Sequence, residues 1–284
     1  MPDSPRRLSS HYAGDGLLAR VLDALDSRSD PGVVPTIDDL APLDEFHLCG
    51  AQATRELIDL IGVAADARVL DLGCGLGGPA RRLARATGCS VVGIDSNWGF
   101  CRTATELTRR IGLTDRVEFH HGDAADLADI ADIAGRPFDA AWMIHVGMNI
   151  CDKANLFSQV ATTLRPGGAF VVYDILSAGL GAPTYPTPWA GDPADSHLAT
   201  CEEMHTHLKS AGFVVDSVHA QTAPAVEFLA NRLERIRSGQ LPPLGLHLIF
   251  GPRTESVFAN LHRALERGLV IPTTIRARVA DLDR

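Results

Sequence analysis

An α/β fold, with a mostly parallel seven-stranded sheet covered by helices on both faces and closed by a helical cap, follows from three observations. From Arg68 onward, short apolar, β-branched runs alternate with helix-length amphipathic segments, the pattern of strand-helix-strand units. Val69–Pro79 reads V-L-D-L-G-C-G-L-G-G-P, an apolar run ending in an acid and then in four glycines, as where a buried parallel strand turns tightly into a helix and leaves its backbone open to a ligand. The chain has 284 residues, 45% hydrophobic and 21% charged, enough material for one elaborated domain or one domain plus a cap.

The elements follow in order. Apolar spacing at Leu17, Leu18, Val21, Leu22 and Leu25 predicts a helix over Gly16–Leu25, followed by the loop S-R-S-D-P-G-V-V-P. A second helix, roughly Ala51–Ile61, carries the stripe Ala53, Leu57, Ile58 and Leu60/Ile61. Residues 1–64 therefore read as an N-terminal cap or lid, and 65–284 as the core. Predicted strands are Arg68–Leu72, Ser90–Ile94, Val117–His120, Phe138–Ile144, Ala169–Ile175, Phe213–His219 and Ile271–Ala280. Helices are expected at Pro79–Ala86, Gly99–Ile111, near Ala125–Ile133, Lys153–Leu164, Cys201–Ala211, near Ala225–Arg237 and at Glu255–Arg267. A Pro- and Gly-rich loop fills 176–200, and with the helical insertion at about 224–268 it contributes to the substrate side; a loop of that length after a sheet strand is usually functional.

The net charge of −9 offers no long-range attraction to phosphate backbones or anionic lipid, so neither nucleic acid nor a membrane surface is an expected partner. The first residues lack the apolar core of a signal peptide and no later run is long enough to span a bilayer, which leads to the expectation of a cytoplasmic protein. Cysteines 49, 74, 89, 101, 151 and 201 form no C-x-x-C pair and are read as reduced, structurally minor thiols. No metal is expected: His205 and His207 point in different directions on a helix, and His120 and His121 face opposite sides of a strand. Arg81, Arg82 and Arg85 are read as a solvated helix face, and Arg232, Arg235 and Arg237 as surface in preference to an acidic-substrate site.

The glycines leave two ligands open, because Gly73-x-Gly75-x-x-Gly78 satisfies the dinucleotide fingerprint just as Gly73-x-Gly75-x-Gly77 fits a nucleoside-binding loop. Strand ends narrow the choice. Asp95 ends the second strand about 20 residues beyond the glycines, where a carboxylate accepts hydrogen bonds from a ribose diol. Asp71 precedes Gly73, a position unsuited to a pyrophosphate and favourable beside an ammonium or sulfonium. Asp123 follows the third strand, placed to accept from an adenine amine.

In order, D-L-G-C-G-L-G-G, G-I-D-S, G-D-A, F-D and L-R-P-G-G resemble the motif set of class I S-adenosylmethionine-dependent methyltransferases over about Arg68–Ile175. D-E-F-H-L-C-G-A-Q-A-T, H-V-G-M-N-I-C-D-K and T-Y-P-T-P-W-A resemble the small-molecule group that includes the sarcosine and dimethylglycine methyltransferases and the tocopherol-type C-methyltransferases. The resemblance implies a Rossmann-like sheet with an antiparallel last strand, S-adenosylmethionine as cofactor and S-adenosylhomocysteine as product. It implies cofactor contacts from Asp71, Gly73, Gly75, Gly77, Asp95, Ser96, Asn97, Asp123, Ala124, Ile144 and Gln52. Two departures are Cys49-Gly50, where many relatives carry two glycines, and Cys74 inside the glycine turn.

The reaction so implied is in-line methyl transfer to nitrogen, oxygen or carbon of a small molecule, which needs alignment, exclusion of water and, for an amine or hydroxyl, a base. His145, at the end of the fourth strand, is expected to be base or substrate anchor, the competing role being packing. His47, with Phe46, closes over the cofactor or caps the helix that follows. Tyr185 and Trp189 supply aromatic surface for a lid or a cation–π contact, or pack between prolines; Asn149 lies at the pocket edge. Two other functions stay open, a methyltransferase-like fold performing a cyclisation or isomerisation and an NAD(P)-dependent oxidoreductase, and so does a homo-oligomer.

Overall fold

The computed structural model describes residues 16–27, 34–127 and 136–280. Its centre is a seven-stranded sheet of order β3-β2-β1-β4-β5-β7-β6. The strands are β1 Arg68–Leu72, β2 Ser90–Asp95, β3 Val117–His121, β4 Phe138–Ile144, β5 Leu164–Ser177, β6 Phe213–Ala220 and β7 Val270–Val279. The first five run parallel, and β7 lies antiparallel between β5 and β6. Strand order reverses between β1 and β4, so the cleft beyond their carboxyl ends is the ligand position such a sheet provides.

Alternation along the strands sorts side chains to two cores. Val69, Val91, Ala140 and Val171 face one cluster, while Leu70, Leu72, Val92, Phe138 and Phe170 face the other. The first core is closed by α1 (Leu17–Asp26), α2 (Ile37–Asp44), α3 (Gly50–Ile61), α4 (Gly78–Thr87), α5 (Trp98–Arg110) and, later in the chain, α8 (Thr222–Arg237) and α10 (Thr254–Glu266). The second is closed by α6 (Lys153–Thr163) and α7 (Cys201–Ser210). A one-turn helix α9, His247–Phe250, links α8 to α10.

Two local differences from the sequence reading have physical causes. Helix α2, absent from the expected elements, carries Pro42 within its eight residues; a reciprocal cap, Thr36 Oγ1 accepting from Asp39 N and Asp39 Oδ2 from Thr36 N, holds its start. Strand β5 begins at Leu164 rather than Ala169: Leu164 pairs with Phe138 across a bulge, and Gly167 takes φ 71° within the run. The helix expected near 125–133 falls mostly outside the described residues. Among the described residues no helix is long and apolar enough to cross a membrane.

Candidate active site

A cleft of about 1280 Å³, part of it open to solvent, lies over the carboxyl ends of β1, β2 and β4 under the cap. Its nucleoside-like end is built from strand termini. Asp95 closes β2, and its carboxylate is fixed from both sides, Oδ2 accepting from Gly75 N at 2.9 Å and Oδ1 from Asn97 N at 2.8 Å. The acidic group is thereby presented to the cleft as an oriented acceptor, and burial pushes its pKa up. Ser96 and Asn97 line the same wall; Asn97 also caps α5 by accepting from Phe100 N. Gly122, Asp123 and Ala124 line the cleft beyond β3, with Asp123 exposed at the rim.

Gly73 and Gly75 line the cleft with φ of 68° and 54°, a conformation that favours glycine. Gly77 does not line it. A Cβ there would meet Phe119 at 2.3 Å and Arg81 at 2.7 Å, so this glycine, like Gly78 against Asp44, serves the packing of α4. Asp71 is buried at the end of β1, its Oδ2 without a hydrogen-bond partner, and burial lifts its pKa to about 7. A buried carboxylate oxygen left open in a ligand cleft suits an incoming cation. The residues present therefore fit a ligand with a ribose at one end and an ammonium near Asp71.

The cap is tied to α4 by charge. Arg81 and Arg82, expected in solvent, are buried: Arg81 Nη2 donates to Asp44 Oδ2 at 2.6 Å and Arg82 Nε to Glu45 Oε1 at 2.7 Å. The correction has a plain cause, since α2 folds back over the face of α4 that the sequence leaves looking free. Glu45 also accepts from Thr54 Oγ1, which lies 3.1 Å from His47 Nε2, and His47 Nε2 donates to Gly50 O at 3.0 Å. Burial pulls the pKa of His47 down to about 4, so it is neutral near pH 7.

His145 sits one residue past β4 with φ 55°, its N–H donating to Tyr173 O at 2.7 Å. Its ring lies 4.9 Å from that of Tyr173 and 6.0 Å from that of His47. Nε2 is buried and unpartnered, and burial holds the pKa well below the usual histidine range. The far wall is apolar, with Ile144, Ile175, Trp189, Phe228, Leu229, Phe258 and Leu261, and it carries one cation, Arg232. The surface reading of Arg232 is thus corrected, while Arg237 is exposed and pairs with Glu255.

The long loop is fastened over this end. Asn149 Nδ2 donates to Trp189 O at 2.7 Å, Trp189 Nε1 to Ser196 Oγ at 2.9 Å, and Asn260 Nδ2 to Pro186 O at 3.0 Å. Trp189 and Asn149 line the cleft; Tyr185, in the same loop, packs against the first core outside it, and Gln52 lies on the exposed side of α3 bonded to Glu56. The sites expected at Asp71, Gly73, Gly75, Asp95, Ser96, Asn97, Asp123, Ala124, Ile144, His47 and His145 come together in one cleft, and those at Gly77, Gln52 and Tyr185 stand outside it. Sequence reasoning missed the aromatic wall of Phe228 and Phe258; a cation and a phenyl four residues apart on one helix, Phe228 and Arg232, were the available signal. The six cysteines are free thiols, and among the described residues no group of three or more His, Cys, Asp or Glu side chains could hold a metal.

Residues 69–168 match the family model of a methyltransferase domain. The chain is 35% identical over 141 residues to the methyltransferase GfsG of Streptomyces halstedii, a match covering 50% of this chain and 49% of that one. It is 29% identical over 211 residues to the 27-O-demethylrifamycin SV methyltransferase of Amycolatopsis mediterranei, covering 72% of this chain and 75% of that one. The match thus spans only about half the length of the first of these relatives. Among solved structures, the [4+2]-cyclase SpnF superposes with a TM-score of 0.71 at 22% identity, over 99% of this chain and 98% of that one.

Proposed function

We propose, from the match of residues 69–168 to the model of a methyltransferase domain, that the chain binds S-adenosylmethionine and methylates a small molecule at nitrogen, oxygen or carbon, leaving S-adenosylhomocysteine. The observation that carries this reading is the pair of carboxylates at one end of the cleft, half-buried Asp95 oriented by two backbone N–H groups and buried Asp71 with an open oxygen. Asp95 would hold the ribose diol, Asp71 the amino group, and Asp123 with Ala124 the adenine edge, while Gly73 and Gly75 let the main chain approach. A pyrophosphate would face Asp71, which argues against a dinucleotide.

When bound, the cofactor supplies an electrophilic methyl on a sulfonium. The chain's part is to align and to dry the site. Phe46 and the aromatic far wall exclude water, and the fastened loop positions Trp189. His145 Nε2, neutral and without a partner, accepts a hydrogen bond or a proton from the acceptor's hydroxyl or amine. His47, committed to Gly50 O, positions the chain ahead of α3.

A second reading, a cofactor-holding fold that performs a cyclisation or isomerisation, has the end-to-end likeness to SpnF in its favour. Titration calorimetry with S-adenosylmethionine and S-adenosylhomocysteine, then a radiolabelled-methyl assay across hydroxylated, amino and polyene metabolites, separates the two. Binding with transfer is expected. Binding without transfer to any acceptor would favour the second reading, and no binding of either nucleoside would overturn both.

A further inference from the structure

Charge is unevenly distributed across the cleft. The strand ends supply Asp71 and Asp95, whereas the opposite wall supplies Arg232 of α8. The Arg232 guanidinium lies 4.7 Å from the ring centroid of Phe228 and 5.2 Å from that of Phe258. Unlike Arg81 and Arg82, it has no carboxylate or other hydrogen-bond acceptor among the described residues. Burial pulls its pKa down to about 10, so it remains charged at neutral pH. A half-buried guanidinium whose N–H donors find no acceptor in the protein is available to a ligand, and the two rings beside it compensate only part of its lost hydration.

Arg232 also lines a second cavity, bounded by Pro42, Asn231, Arg235, Leu241 and His247, so it stands at the junction of the two spaces. Arg235 adds a second positive charge there that makes no ion pair among the described residues. The acid in that lining, Glu45, is occupied by Arg82 and Thr54. The site therefore lacks an anion on its own side.

We propose that the acceptor carries an oxyanion, a carboxylate or a phosphate, received by Arg232, with an apolar body lying along Phe228, Phe258, Leu261 and Trp189. The assignment rests on the methyltransferase reading for its direction: Asp71 and Asp95 repel an anion from the cofactor end, so the anionic group points to α8 and the apolar body runs toward His145. Arg232 becomes the residue that selects acidic over neutral acceptors, since a bidentate guanidinium contact is lost entirely when the oxyanion becomes an amide.

Calorimetry on the full chain loaded with S-adenosylhomocysteine, using 1-naphthoate, 1-naphthyl phosphate and the neutral 1-naphthamide as probes, tests this. At least one of the two anions is expected to bind at least about tenfold more tightly than the amide, the stronger one naming the oxyanion. Arg232→Met should erase the preference and Arg232→Lys should keep part of it, with the affinity for S-adenosylhomocysteine unchanged in both. Equal binding of anions and amide, failure of both anions to bind, or a preference that survives Arg232→Met would overturn the proposal. If Arg232→Met does not fold, the Arg232→Lys protein and the wild-type preference still decide. Failure of S-adenosylhomocysteine itself to bind strikes the methyltransferase reading instead, and the same probes are then titrated into the unloaded protein.

Discussion

At the scale of single residues, His145 concentrates the unusual features of the site. It holds a left-handed φ of 55° that a histidine adopts at a cost of about 1–3 kcal/mol, and its Nε2 is buried without a partner. Both are tolerable where a ligand completes the arrangement. His145→Ala and His145→Gln should lower turnover about 10²- to 10⁴-fold while the dissociation constant of S-adenosylmethionine moves less than about threefold. His145→Gly should melt above His145→Ala, because glycine relieves the left-handed strain. Turnover surviving both the Ala and Gln changes would remove the residue from the mechanism. The sequence placed His145 correctly at a strand end, since strand ends in a parallel sheet are where ligands meet side chains. It could not place Arg232, because an arginine on an amphipathic helix is normally solvated, and the phenyl ring that helps enclose it, Phe258, comes from another helix.

At the scale of elements, the join between cap and core is a close backbone approach backed by buried ion pairs. A Cβ on Gly78 would lie 2.5 Å from Asp44 O and 2.7 Å from Asp44 Oδ1, and a backbone carbonyl cannot rotate away. Gly78→Ala therefore opposes two effects: alanine improves helix propensity by up to about 1 kcal/mol, and overpacking costs about 1–3 kcal/mol. Crowding against main chain wins, so the variant should melt lower by several degrees, with cofactor affinity weakened because α2 carries the chain into Phe46 and His47. A melting temperature equal to or above wild type would show that α2 moves freely. The inner parallel strands were legible because each carries a short apolar run between turn residues, and β3 because Val117 and Phe119 alternate with polar residues. The cap's contact with α4 was not, since it depends on Asp44 and Glu45 reaching Arg81 and Arg82 some 37 residues onward, which no local periodicity encodes.

At the scale of the whole molecule, buried titratable groups oppose one another across the acid range. Burial raises Asp71 and Asp174 to about 7, so each favours the protonated form in the folded chain. Their contribution is fully present below the ordinary carboxylate value of about 4 and is lost as pH rises toward 7. His47, at about 4, and His145 act in reverse, losing their contribution as pH falls below about 6.5. Ligand binding should disturb this balance through Asp71. An ammonium beside its open Oδ2 stabilises the carboxylate, so binding at pH 6 must expel a proton that the free protein holds. S-adenosylhomocysteine, which carries the amino group without the sulfonium, isolates the effect. Its affinity should rise by up to about tenfold per pH unit below 7 and level off above it. Calorimetry at pH 6 in buffers of different ionisation enthalpy should register release of close to one proton, and Asp71→Asn should abolish both the slope and the release. Flat affinity in the wild-type protein between pH 6 and 8 would place the amino group elsewhere and leave Asp71 with only a structural role at the end of β1.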